Sequence, residues 1–156
     1  MDGELRRIRG IANYQFGKGC GAALFPDGVT ITHSKNTGRI RHIYLGDALL
    51  ASLRPTDCLL TLTIAGAERL VSEVDAPGFT VRVMGEVAEF IARGRNVFAK
   101  HVLDAGDLIR PGDEVVVLDP DLGVLAVGRA LLNREEMSAF NVGVAVRVRR
   151  GRLRDR

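Results

Sequence analysis

Two groups of side chains in this chain of 156 residues are suited to contact a phosphate backbone. Arginine presents a planar fork of donors that fits phosphate oxygens, and lysine adds a point charge. Glycine lets a backbone approach a sugar-phosphate chain closely. The run GRNVFAK supplies Gly94, Arg95, Asn96 and Lys100, and the run RVRRGR supplies Arg147, Arg149, Arg150 and Arg152. These are our candidate residues for binding the phosphate backbone of a nucleic acid.

The second group lies on a segment whose alternation predicts a strand. Val144, Val146 and Val148 fall on one face, whereas Arg147 and Arg149 fall on the other, with same-face neighbours about 6.6 Å apart. A row of guanidinium groups suits a phosphate backbone better than a small ligand. The alternative is a solvated terminus, because residues 147–156 hold six arginines and one aspartate in a chain of net charge +3.

No residue pattern points to catalysis. The histidines recur at no metal-ligand spacing, and Cys20 and Cys58 fit no zinc or redox motif. Ser34 lies beside His33, but no acid follows at the spacing of a known catalytic triad. The sequence therefore predicts no catalytic residue, no metal and no cofactor.

Composition indicates a globular protein. Apolar residues make up 46% and charged residues 26% of the chain, which is enough to build a core. No apolar run approaches the roughly 18 residues of a membrane helix, and MDGELRRIRG has no apolar stretch that would make it a secretory signal. We expect a cytoplasmic location.

The second half predicts strands and two short helices. The first helix, residues 86–93, should bury Val87, Phe90 and Ile91, which lie at helical spacing, and Gly94 should end it in a left-handed conformation. The second should begin at Asn133 with a reciprocal Glu136 and bury Met137 and Phe140. Strands are predicted at 81–84, 97–102 (with Phe98 inside a barrel), 114–118, 124–132 and 143–149.

The first half predicts helices on an antiparallel sheet. A helix begins near Leu5, a glycine-rich loop follows Phe16, and a second helix covers 66–74. Strands are predicted at 29–32, 39–45, 49–53 and 59–64. Pro77 and Gly78 interrupt the pattern, so we divide the chain into domains 1–78 and 79–156.

The second half, with GRNVFAKHV, RPGDEVVVLD and LAVGRALLNREEM, resembles the PUA domain of archaeal (archaeosine) tRNA-guanine transglycosylases. YQFGKG, SKNTGRIRHIYL and LTLTIAGAERL resemble the small domain that precedes it in those enzymes. The resemblance implies an α+β fold. A cystatin-like pre-PUA domain, with a helix on an antiparallel sheet, would be followed by a PUA pseudo-barrel of mixed strands with two short helices.

The same resemblance implies binding to the acceptor stem and 3′ end of tRNA, with the loop at Gly94 and Arg95 against the RNA. The family's chemistry belongs to a barrel domain of about 250 residues, for which this chain has no room. We therefore expect a non-catalytic RNA-binding protein. The alternatives are the RNA-binding subunit of a split tRNA-modifying transglycosylase, with a separate catalytic subunit, and a small translation-associated PUA factor.

Overall fold

The computed structural model describes residues 3–75 and 77–153. The chain divides into two compact units, Met1–Asp75 and Ala76–Arg156. Each unit has its own sheet, of four strands in the first and six in the second.

The first unit is a helix-covered antiparallel sheet, as the sequence predicted. Its four strands follow one another in chain order across the sheet, each antiparallel to the next. The elements are α1 (Gly3–Phe16), α2 (Cys20–Leu24), β1 (Thr30–His33), β2 (Ile40–Leu45), β3 (Ala48–Leu53), β4 (Leu60–Leu62) and α3 (Ile64–Glu73).

Helix α1 is fixed to the edge strand β4 at its C-terminal turn. The side chain of Gln15 donates to the carbonyl of Leu60 at 3.1 Å and accepts from the amide of Leu60 at 2.6 Å. One carboxamide therefore satisfies both backbone groups of an edge position that would otherwise need water. The buried residues of α1 recur every three or four positions, at Leu5, Ile8, Ala12 and Phe16.

Helix α2 replaces the predicted glycine-rich loop. It packs so closely against α1 that a Cβ at Gly21 would collide with the backbone carbonyl of Arg9. The amide of Gly21 also donates to Oδ1 of Asn13 at 2.7 Å. Glycine serves here for close helix contact, and the loop prediction was wrong over Cys20–Leu24.

The second unit is a barrel whose two edge strands are neighbours in the chain. Its elements are β5 (Thr80–Val83), a 3₁₀ turn (Gly85–Val87), α4 (Ala88–Ala92), β6 (Val97–Phe98), a 3₁₀ turn (Ala99–His101), β7 (Val102–Ala105), β8 (Glu114–Leu118), β9 (Val124–Ala130), α5 (Arg134–Ala139) and β10 (Val144–Gly151). The strand order is β6-β10-β9-β8-β5-β7. Because three residues separate β6 from β7, the two edges of the sheet lie close together and the barrel is nearly closed.

The pairing β5–β8 is parallel and the other pairings are antiparallel. The predicted α+β fold, with a mixed pseudo-barrel as its second part, is confirmed. The barrel core is built from valines and alanines together with larger apolar residues; it includes Val81, Val97, Val115, Val146 and Met137.

The predicted strand 97–102 is interrupted by the 3₁₀ turn that closes the barrel. Val97 points into the core, but Phe98 lies where the strand ends and is 46% exposed. The expectation that Phe98 packs inside the barrel was therefore wrong. Its ring instead contacts the His101 ring edge to face, with centroids 6.3 Å apart.

Two other aromatic side chains predicted to be buried are exposed. Phe90 is 58% exposed, because a 3₁₀ turn replaces the first turn of the predicted helix and the buried side falls on Ile91 and Ala92. Phe140 is 43% exposed, since α5 ends at Ala139 and the next residue is extended. The predicted capping box between Asn133 and Glu136 is present.

Candidate nucleic-acid interface

Gly94 ends helix α4 in a left-handed conformation, with φ at 109°. Its amide donates to the carbonyl of Ile91 at 2.9 Å, and the amide of Arg95 donates to the carbonyl of Phe90 at 3.0 Å. These two bonds form a Schellman motif. The motif fixes the direction of the loop and leaves the Arg95 side chain exposed.

The end of strand β10 passes directly against this loop. A Cβ at Gly151 would collide with the carbonyl of Ala92 and would lie 2.7 Å from the amide nitrogen of Gly94. Nearby, Oδ1 of Asn96 accepts a hydrogen bond from the amide of Val148 at 2.9 Å. The loop and the last strand, which the sequence separates by about fifty residues, therefore form one surface, and the Asn96 side chain helps to hold it together.

Three exposed arginines share one face of the sheet beside the loop. Arg147 on β10 pairs in register with Arg129 on β9, so their Cβ atoms are about 5 Å apart. A β-bulge between Val148 and Arg150 places Arg150 opposite Val127, which shares a face with Arg129. Regular alternation would have turned Arg150 toward the barrel interior.

Arg149, the residue inside this bulge, is engaged by a buried acid. Its Nη1 and Nη2 donate to Oε1 and Oε2 of Glu114 at 2.8 and 2.6 Å. The Glu114 side chain is 3% exposed and that of Arg149 is 40% exposed. The sequence grouped Arg149 with the phosphate contacts, whereas the structure shows its guanidinium compensating a buried carboxylate.

The other cations of this surface form what we call the arginine cluster: Arg95, Arg129, Arg147, Arg150 and Arg152. All five are exposed, and among residues 3–75 and 77–153 no salt bridge joins any of them to an acid. Like charges directly opposite each other in a sheet repel. The cluster is therefore a positive surface that an anion would stabilise.

Lys100 lies apart from the arginine cluster. It belongs to the 3₁₀ turn whose first residue, Ala99, bonds to the carbonyl of Gly143 at 3.0 Å. Gly143 precedes β10, whereas Arg150 lies near the other end of that strand, about 20 Å away. The predicted binding residues are thus divided between two places: Lys100 lies near the start of β10, and the arginines lie farther along that strand.

Lys100 lines a cavity of about 380 Å³ between the 3₁₀ turn, β7 and α5, together with Arg134, Met137, Ser138, Phe140 and Asn141. Lys100 and Arg134 are exposed cations, and the exposed ring of Phe140 adds an aromatic surface. At the rim, Asp104 is engaged by Arg82 at 2.7 Å, and this hydrogen bond raises the pKa of Arg82 above its ordinary value. Cations, an aromatic ring and an amide around a concavity suit a nucleotide.

Sequence reasoning missed Arg129, Arg134 and Phe140 as surface residues. Arg129 carried a usable signal, because it is the charged residue in the apolar strand LAVGRALL. The position of Arg134 and Phe140 beside Lys100 depends on how α5 folds back over the 3₁₀ turn, which no local pattern encodes.

Within the described part of the chain, no group of three His, Cys, Asp or Glu side chains is placed to hold a metal ion. None of the helices there has the length and apolar character needed to cross a membrane.

Comparison with known sequences divides the chain between residues 77 and 79, close to the boundary between the two compact units. Residues 6–77 match the family described as patch-forming domain C2 of tRNA-guanine transglycosylase, and residues 79–152 match the PUA domain. The tRNA-guanine(15) transglycosylase of Methanothermobacter thermautotrophicus is 47% identical over 148 residues, which are 95% of this chain and 23% of that enzyme. The chain thus spans about a quarter of the length of the curated relatives it matches.

Solved structures share the fold over nearly the whole chain. A hypothetical protein of Pyrococcus horikoshii OT3 superposes with a TM-score of 0.77 at 23% identity, covering 95% of this chain and 89% of that protein. A conserved PUA domain protein of Thermoplasma acidophilum gives a TM-score of 0.69 at 20% identity, with 95% and 88% covered. At these identities the likeness establishes the fold.

Proposed function

Since this chain belongs to the family that joins the C2 patch-forming domain of tRNA-guanine transglycosylase to a PUA domain, we propose that it binds structured RNA, and tRNA in particular. The single observation that carries the proposal is the arginine cluster beside the loop at Gly94. Arg147 and Arg129 face each other, and neither forms a salt bridge to an acid of the described residues. Glu114 lies in register on the other side of Arg129 but is engaged by Arg149, so a phosphate beside Arg147 and Arg129 relieves the repulsion that remains.

The cluster suits the backbone of an A-form helix better than a base edge. The deep, narrow major groove of such a helix hides its bases, and proteins recognise it by shape and by contacts to phosphates and 2′-hydroxyls. Gly94 has no side chain, which lets a sugar-phosphate chain approach the loop closely. Arg95 then lies beside that backbone.

In this proposal the acceptor stem lies on the arginine cluster and the unpaired 3′ nucleotides reach the cavity at Lys100. The cavity lies about 20 Å along β10 from Arg150, a distance that a few unstacked nucleotides can cover. Phe140 offers a ring on which a base can stack, and Lys100 and Arg134 offer charges for its phosphate.

The chain itself supplies binding and no reacting group in this proposal. A second candidate is that it is the RNA-binding subunit beside a separate catalytic subunit, which the 47% identity to a tRNA-guanine(15) transglycosylase favours. Affinity purification from the native source under gentle lysis tests it. A larger co-purifying protein with guanine-exchange activity on tRNA supports the candidate, and activity that stays wholly in the unbound fraction contradicts it.

The binding proposal is tested by titrating the protein with intact tRNA, tRNA without its 3′ CCA, and duplex DNA at about 50 and 200 mM salt. We expect preference for intact tRNA and a loss of affinity when CCA is removed. Equal weak binding to all three nucleic acids, abolished by salt, would contradict specific recognition of the acceptor end.

Arg147→Gln should weaken tRNA binding about threefold to tenfold and lower the salt slope by about 1. The matched control is Arg7→Gln, which also removes one exposed charge but lies on α1 in the first unit. Equal losses in both variants would show that net charge, and not the arginine cluster, determines affinity.

A further inference from the structure

We propose that the free edge of strand β1 joins a second copy of this chain, so that the four-stranded sheets of two first units continue into one sheet. The contact is an antiparallel pairing of β1 with its own copy, across a two-fold axis at Ile31. This inference goes beyond the proposed function, because the contact needs no RNA.

The two edges of the first sheet differ in how their backbone groups are bonded. Along β4, the carboxamide of Gln15 bonds to both backbone groups of Leu60. Along β1, the backbone of residues 30–33 makes only its ladder bonds to β2 within the part of the chain that the structure describes. Because alternate residues of an edge strand direct their N–H and C=O groups outward, β1 presents a row of backbone groups that another strand can bond.

Strand β1 also lacks the features by which proteins usually protect a sheet edge. Protected edges carry charged side chains, prolines or bulges that discourage a further strand. The sequence VTITH at 29–33 has no Lys, Arg, Asp, Glu or Pro. The bulge in the pairing with β2 adds its extra residue, Arg41, to β2 and leaves β1 regular. Its β-branched side chains favour an extended strand, so β1 is suited to pair a second time.

Pairing about Ile31 matches like side chains across the axis. Directly paired residues lie on the same face of a sheet, and Ile31 pairs with Ile43, which is fully buried. Ile31 is half-buried at the edge, so Ile31 of a second copy would extend this apolar face. On the other face, Thr30 of each copy would lie opposite Thr32 of its partner, a pairing that stabilises antiparallel strands.

The same register brings opposite charges together at both ends of the contact. Asp27 and Lys35 each lie four positions from Ile31, so Asp27 of one copy comes level with Lys35 of the other. The Asp27 side chain is 91% exposed even though Arg9 contacts it at 3.1 Å. Lys35 is exposed and forms no salt bridge within residues 3–75 and 77–153. Each end of the dimer would therefore join a carboxylate to an ammonium group.

The size of this contact predicts a weak dimer. One pair of short strands buries less than the about 1,200 Å² at which stable interfaces begin. Exposed charge pairs add little, and they add most at low salt. We therefore expect an equilibrium between one and two copies, with a Kd of about 10 µM to 1 mM at low salt.

The first experiment is sedimentation equilibrium of the full chain without RNA, from about 10 µM to 2 mM protein in about 50 mM salt. We expect the mean mass to rise toward that of two copies. Thr30→Lys should abolish the rise, because a lysine on an edge strand opposes further pairing. Thr30 is exposed, so this substitution should leave the monomer folded.

The matched control is Ser72→Lys, which adds the same charge at an exposed position of α3 and should dimerise like the unmodified chain. A single copy at every concentration would overturn the proposal. So would a dimer that Thr30→Lys leaves intact, or one that both substitutions weaken equally.

The second experiment tests the register with two complementary variants. Asp27→Lys and Lys35→Glu each place like charges at both ends of the self-paired dimer, so each alone should dimerise about tenfold more weakly. An equimolar mixture should recover the dimer. In a mixed pair the introduced lysine lies opposite the introduced glutamate at one end, and Asp27 lies opposite Lys35 at the other.

A loss of folding in either variant could not produce this recovery. The control Lys18→Glu makes the same charge change at an exposed position away from β1 and should dimerise like the unmodified chain. If neither variant alone weakens the dimer, or if the mixture stays as weak as its components, the pairing about Ile31 is wrong.

The outcome is independent of the proposed function, since neither experiment contains RNA. Dimerisation through β1 by a chain that does not bind tRNA would leave this inference standing. Binding of tRNA by a chain that stays monomeric at the highest concentration would refute this inference alone.

Discussion

Arg149 and Glu114 are joined by two charge-assisted hydrogen bonds that cross β9, the strand between their own two strands. Glu114 is also in register with Arg129, which faces Arg147. The carboxylate therefore lies within the positive surface and reduces the repulsion among its arginines. The bulge that turns Arg150 outward also contains Arg149, so one irregularity of β10 positions two arginines for different tasks.

Arg149→Ala should lower the free energy of unfolding by about 2–4 kcal/mol, because it removes two hydrogen bonds from a carboxylate that cannot regain water. Glu114→Gln should cost less, since the Arg149 guanidinium is 40% exposed and can be solvated. Chemical denaturation of both variants measures the difference.

The control for this prediction is Arg147→Ala, an exposed substitution on the same strand that should change stability by no more than about 0.5 kcal/mol. If Arg149→Ala were as mild as Arg147→Ala while weakening RNA binding more, the ion pair would be dispensable for folding. Arg149 would then act directly on the ligand, as the sequence had suggested.

Gly94→Ala should destabilise the second unit by about 1 kcal/mol, because φ at 109° is strained for a residue with a Cβ. Gly94→Asn should cost less, since asparagine tolerates left-handed conformations better than alanine. Thermal unfolding measures the ranking, and an alanine variant at least as stable as the asparagine variant would contradict the assigned conformation.

Local patterns were sufficient where a single residue type determines the geometry. A glycine after an amphipathic segment identified the helix end at Gly94, and the spacing of Asn133 and Glu136 identified the capping box. Both rest on hydrogen bonds between residues that are close in sequence. The resemblance to a known family supplied the arrangement of the two sheets, which local patterns could not.

Contacts between distant residues could not be predicted. The bulge that places Arg150 beside Arg147 depends on register with β9, and the partner of Arg149 is separated from it by 35 positions. Phe98 was misplaced for the same reason, because alternation along one strand does not show that the barrel must close at Ala99.

Two glycines of the first unit should respond oppositely to alanine. Gly10 lies inside α1, where a Cβ would have no neighbour within 4 Å beyond the adjoining residues and the backbone of its own helix, so Gly10→Ala should stabilise the chain by about 0.5–1 kcal/mol. Gly21→Ala would push a methyl group into the carbonyl of Arg9 and should destabilise it by about 1–3 kcal/mol. Denaturant unfolding measures both, and effects of the same sign would refute the close α1–α2 contact.

Cys20 should make the stability of the chain depend on pH in the alkaline range. It is 1% exposed and its thiol donates to the carbonyl of Phe16 at 3.4 Å, and burial raises its pKa above the ordinary value for a thiol. Below the thiol pKa of the unfolded chain both states are protonated and stability is unaffected. As the pH rises above that value, the unfolded chain loses the proton first, so stability falls until the folded thiol also ionises.

The loss is at most about 1.4 kcal/mol for each pH unit in that window. Comparing the free energy of unfolding of the unmodified chain and Cys20→Ser at neutral and alkaline pH isolates it, since serine does not titrate there and the other groups are common to both. We expect the smaller decrease in Cys20→Ser. Equal decreases would mean that Cys20 ionises as readily in the folded chain as in the unfolded one.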